Sequence, residues 1–200
     1  EQKQLADCPH LDENTIVEFA GTGSNPISME KFQEDLMAQL KAKIPTIDLV
    51  SRAEKMGGKL NGNKLIIKCL GKDFEIDAEG NVTSQCHTHA WFVIPLFNYI
   101  LFGNGQNISG QWVPFRELKN GASRNPLFEK RCEKPLKQIA DKHPDLFEYL
   151  IRIFSGSSSF ANNINSDVSV ILFPFPKLPI LICYWKPEDD LESQLHIFFD

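Results

Sequence analysis

Chemistry in this chain is densest at residues 85–91, "QCHTHAW", where Cys86, His87 and His89 offer a thiol and two imidazoles of the kind that hold zinc or iron. On a strand, His87 and His89 share one face and Cys86 takes the other; on a helix the three spread over a wide arc. A closed zinc site takes a fourth ligand. No CxxC or HxxxH lies nearby, so His143, His196, Cys69 or Cys183 supplies one only through folding. The competing reading is a helix start, with imidazoles capping backbone groups and Cys86 in the core. Cys86 beside a histidine also has the makings of a nucleophile and its base. The chain has no G-x-S-x-G elbow and no H-E-x-x-H.

The carboxylates of "KPEDDLES" (186–193) form a second cluster, able to hold a cation or simply to sit in a solvated loop. Trp112 and Trp185 can stack on a flat ligand or pack at a core edge. Cys69, Cys132 and Cys183 lie in apolar patterns and read as small buried hydrophobes. Gly21 and Gly23 lack the third glycine and the Lys-Ser/Thr of a phosphate loop.

Five widely spaced cysteines, an odd number with no secretory signal before them, suit a reduced, cytoplasmic setting better than a disulfide framework. A net charge of −5 argues against general nucleic-acid binding, which needs a basic surface. The longest apolar run, 90–102, contains Pro95 and is too short to span a membrane, so it reads as a buried helix.

Two hundred residues suit one domain with a small appendage. Residues 21–28 read as a linker. Ser28 can cap a helix that turns Met29, Phe32, Leu36 and Leu40 inward. Pro45 opens a second helix, stopped by Gly57-Gly58. Strands at 64–70, 73–77 and near Val82 form an antiparallel meander, turning at Gly71-Lys72 and Glu79-Gly80. A helix follows at 89–102, and 110–118 is extended. The helical run 127–143 places Phe128, Cys132, Leu136 and Ile139 on one face, with Pro135 kinking or dividing it. Pro144 begins another helix. Strands at 168–173, 180–185 and 195–199 close the chain, and "PFPKLP" is too proline-rich for a central strand. Grouped helices and strands give an α+β class, with antiparallel sheets and helices packed on one side.

The ordered phrases "HAWFVIPLFNYIL", "GQWVPFREL", "PLFEKRCEKPL", "SDVSVILFPFPKLPILICYW" and "FFD" resemble those of the family called domain of unknown function 3786. It is a bacterial and archaeal family common in anaerobes. The resemblance covers most of residues 45–200. It implies one α+β domain over 29–200, cut short at its C-terminus, because family members continue past a phrase like "FFD". Members are often fused behind a four-cysteine iron–sulfur module, similar to that of the corrinoid iron–sulfur protein. "LADCPHLDE" resembles the end of that module. Residues 1–20 would then be its remnant and Cys8 its fourth ligand, with three companions expected upstream. The [4Fe–4S] cluster is expected in the longer parent and not in these 200 residues.

The resemblance implies an accessory protein that handles redox, a cofactor or a ligand beside a redox or corrinoid protein, while the cysteines, charge and apolar pattern point to a cytoplasmic setting without nucleic acid or membrane. Trp112, Arg116, Arg131, Asp167 and Trp185, the polar and aromatic members of the family-like phrases, are the candidate ligand pocket. Arginine favours anionic groups and tryptophan flat ones. The alternatives are a metal-dependent enzyme using Cys86, His87 and His89, and a structural interaction module.

Overall fold

The computed structural model of the chain describes residues 26–158 and 164–200. Cys8, the expected remnant at 1–20 and most of the expected linker lie outside the described residues. The described chain divides into two compact units, one of residues 26–107 with Pro174–Lys177, the other of Ile108–Phe173 with Leu178–Asp200. The α+β class holds, with helices grouped beside two antiparallel sheets.

The first unit begins with helix α1 (Pro26–Lys41). Pro26 occupies the first turn, where its missing N–H costs nothing, so Ser28 lies inside the helix and does not cap it. Phe32, expected inside, is 62% exposed. A 3-10 turn at Ile44–Thr46 leads to α2 (Leu49–Met56), whose first turn is capped by Asp48 accepting from the Val50 N–H at 3.0 Å. The meander follows as β1 (Lys59–Asn61), β2 (Lys64–Cys69), β3 (Lys72–Ile76) and β4 (Val82–Ser84), paired in that order. The turn between β2 and β3 is Leu70-Gly71, both left-handed at φ 48° and 77°. Two such residues match the twist of a tight hairpin, which is why the turn falls one residue earlier than the glycine suggests. Leu65, Ile67, Phe74 and Ile76 alternate inward against Leu96, Phe97 and Ile100 of α3 (Ala90–Phe102). Each fully buried side chain of this kind contributes about 1.5–3 kcal/mol.

The second unit carries β5 (Val113–Pro114), a 3-10 turn at Phe115–Glu117, α4 (Gly121–Phe128), a π-helical turn at Glu129–Glu133, α5 (Lys134–Lys142) and α6 (Leu146–Phe154). Its sheet adds β6 (Ser157–Ser158), β7 (Val168–Phe175), β8 (Leu178–Trp185) and β9 (Gln194–Phe199) in the order β5-β9-β8-β7-β6. Pairing of Ile182 with Ile197 and Tyr184 with Leu195 puts these four on one face. There Phe147 of α6 packs on Tyr184, ring centroids 5.4 Å apart. Leu181 and Cys183 point the other way, under Trp112, Ile171, Trp185 and Phe198.

Two expectations fail in this unit. Cys132 is exposed rather than buried with Phe128 and Leu136. The π turn holds an extra residue and rotates the helical face just there. Pro174 and Pro179 lie within β7 and β8, and only Pro176-Lys177 turns the chain. β6 pairs with Val170 and Ile171, and β9 starts its pairing with β8 at Ile180, so both prolines sit beyond those partners, where a missing N–H breaks no ladder bond to them.

Candidate functional site: two clefts at the start of β9

The cysteine–histidine cluster is dispersed by local structure. Cys86 is half-buried against the first unit's core, its N–H donating to Ser84 Oγ at 3.2 Å. His87 is exposed. His89 caps α3, its Nδ1 accepting from the Trp91 N–H at 3.3 Å. Burial, with the Cys86 charge adding, pushes the Cys69 thiol up to about 11, so that neighbour is a neutral thiol near pH 7. Among the described residues, no three His, Cys, Asp or Glu side chains gather as a group able to hold a metal ion.

Of the five candidate pocket residues, the fold brings Asp167 and Trp185 into one cleft of the second unit. Trp112 is half-buried on the Leu181 and Cys183 face. Arg116 is exposed in the 3-10 turn, and Arg131 is exposed in the π turn. Neither arginine lines the Trp185 cleft.

That cleft has a volume of about 290 Å³. Local chemistry fixes its walls before any ligand arrives. Trp185 ends β8, and its Nε1–H donates to the Asn165 carbonyl at 2.6 Å, which sets the plane of the indole. Asp167 Oδ2 accepts the Lys186 N–H at 2.8 Å. The loop between β8 and β9 is closed by Glu188 and Leu191, whose backbones bond reciprocally at 2.7 and 3.1 Å across the left-handed Asp189. This closure brings Glu188 and Glu192 of "KPEDDLES" to the cleft beside Asp167. The site is therefore an aromatic wall with three carboxylates and one lysine around it.

A second cleft, of about 300 Å³, lies on the other side of Gln194, which lines both. The π turn and α5 supply Glu129, Glu133, Lys134 and Lys137, and β9 supplies His196. Glu133 is nearly buried, at 13% exposure. Its Oε1 accepts the Ile197 N–H at 2.9 Å and stands 3.7 Å from His196 Nδ1. Contact with Glu133 raises the His196 pKa above 6.5, against a smaller opposing effect of burial; Glu129 adds to the rise and Arg116 lessens it. The imidazole also meets Trp185 edge-on, ring centroids 5.8 Å apart, so the aromatic wall of one cleft touches the titrating group of the other.

Sequence reasoning considered His196 only as a spare metal ligand. Its true partner, Glu133, lies in another element far back along the chain. The only local signal was Pro135, which marks an irregular helix turn of the kind that gathers functional residues.

The family model for a domain of unknown function, DUF3786, matches residues 48–200, and the chain belongs to that family. No curated protein and no solved structure matches the chain. No described helix is long and apolar enough to cross a membrane.

Proposed function

We propose that the second unit is a ligand-handling module whose Trp185 cleft takes a flat organic cation. The observation that carries this reading is the indole, held by Asn165 and flanked by Asp167, Glu188 and Glu192. An aromatic face with nearby carboxylates attracts a delocalised or quaternary cation. The same carboxylates do not gather as a metal-binding group, which favours an organic cation over a bare ion. A volume of about 290 Å³ is at the small end of ligand sites and suits a molecule of one or two rings.

The accessory role belongs to the same proposal. The resemblance around Cys8 supports a parent protein in which an iron–sulfur module precedes this domain and a redox or corrinoid protein is its partner. A four-iron cluster takes four thiolates. Cys69 and Cys183 are buried in the cores of different units, Cys86 is half-buried and Cys132 is exposed. The described thiols do not fit that group, and the contribution proposed for this domain is to hold a small molecule.

Calorimetric titration with thiamine and with 1-methylnicotinamide, each carrying a flat cationic ring, tests the reading. The wild-type protein binds at least one of them. Trp185→Ala weakens that binding by about tenfold or more, as loss of a desolvated cation–π contact requires. Asp167→Asn weakens it as well. Failure of both cations to bind, or full affinity in Trp185→Ala, refutes the site.

A further inference from the structure

The His196 cleft has the opposite chemistry to the cleft it adjoins. Glu133 is occupied by the Ile197 N–H and by His196, and Glu129 accepts from Asn125 Nδ2 at 2.5 Å. Lys137 is paired with Asp141 at 3.1 Å. Both carboxylates thus have partners within the fold, while Lys134 and the half-exposed His196 ring face the cleft. With Nδ1 turned to Glu133, the imidazole has Nε2 left for a ligand. The Arg116 charge reaches His196, although Arg116 does not line this cleft. Lys134 from α5 and His196 from β9 therefore face one opening, with the Arg116 charge acting on His196 from the 3-10 turn, and a fixed anion there meets charge-assisted donors.

We infer that the cleft beside His196 is an anion subsite continuous with the Trp185 cleft, so that the ligand is a flat organic cation carrying a phosphate or carboxylate arm. This rests on the proposed cation site. Gln194 lines both clefts and the Trp185 and His196 rings meet at 5.8 Å, so a ring on the indole places a short arm at the imidazole. The arm accepts from His196 Nε2–H and from the Lys134 ammonium, and Arg116 adds long-range attraction. The groups facing His196 are Glu133 and Glu129 from the π turn, Arg116 from the 3-10 turn and Lys134 from α5. Only His196 among the three cations changes charge near neutrality.

Thiamine and thiamine monophosphate differ by the arm alone and make the test. Calorimetry at pH 6 should show the phosphate form binding about tenfold tighter, the scale of one charge-assisted hydrogen bond. That ratio should shrink as pH rises through the raised His196 pKa, and fall towards one in His196→Gln. Lys134→Gln should reduce it in part, which guards against misfolding of either variant alone. Thiamine bound with no gain from the phosphate, or a gain unchanged in His196→Gln, overturns the anion subsite and leaves the cation site standing. Binding of neither form overturns the anion subsite, and overturns the cation site as well when 1-methylnicotinamide also fails to bind.

Discussion

At the scale of single residues, the second unit depends on Asp141. Its Oδ1 accepts from Tyr184 OH at 2.9 Å and from Ser193 Oγ at 2.6 Å, and its Oδ2 from Lys137 Nζ at 3.1 Å. Burial alone would push this carboxyl up; the bonds from Ser193, Tyr184 and Lys137 together outweigh it and hold the carboxyl below its ordinary range. Ser193 is 5% exposed and Tyr184 6%, so neither hydroxyl has free access to water if the acceptor goes. Asp141→Ala should therefore cost about 2 kcal/mol, the penalty for stranding buried donors. Chemical denaturation measures it, and a loss below ~0.5 kcal/mol would mean that water replaces the carboxylate. Ser193 directly precedes β9 and lines the His196 cleft, so this anchor bears on that cleft. Asp167 and Trp185 stood out in the sequence as a polar and an aromatic member of the family-like phrases, and the fold places both in one cleft. Asp141 was not legible, since it looks like any exposed helical acid until Tyr184 and Ser193 arrive from distant strands.

At the scale of elements, the helical run 121–142 shows what periodicity conveys and what it misses. Helix, strand and turn chemistry placed α3, α6 and the three long strands close to their observed bounds. Pattern could not show β1, whose three residues are all exposed and carry no apolar alternation. Nor could it show the π turn, because one extra residue changes which face each later side chain takes without changing composition. That turn helps position Glu129 and Glu133, so the site was hidden by the same feature that builds it. α4 begins equally tightly. Gly121 is buried, and a Cβ there would run into the Phe115 carbonyl oxygen. Helix propensity alone would make Gly121→Ala stabilising by about 1 kcal/mol. Backbone cannot swing aside as a side chain can, so overpacking should win, with a net loss of about 1–2 kcal/mol. A higher melting temperature for Gly121→Ala would show that the 3-10 turn yields.

For the whole molecule, the two groups that tie helices to β9 and its approach set opposite limits on stability with pH. Asp141 has a depressed folded pKa, so its contribution is present above its unfolded value of 3.8 and is lost as pH falls through the lower folded value. His196 has a raised folded pKa; its contribution is fully present below its unfolded value of 6.5 and is lost as pH rises through the higher folded value. The His196 ring is half exposed, so solvent screening limits its term to less than about 1 kcal/mol. Urea midpoints of the wild type and His196→Gln, compared from pH 5.5 to 9, should differ most at the acid end and converge at the basic end. Asp141→Asn should show the reverse, with a gap at neutrality that closes below pH 3.8. Added salt should narrow the His196 gap more than the Asp141 gap, because an exposed ion pair is screened and hydrogen bonds from buried hydroxyls are not. If the His196 gap stays constant across the range, the imidazole and Glu133 do not exchange charge on folding. The contact at 3.7 Å would then be packing alone.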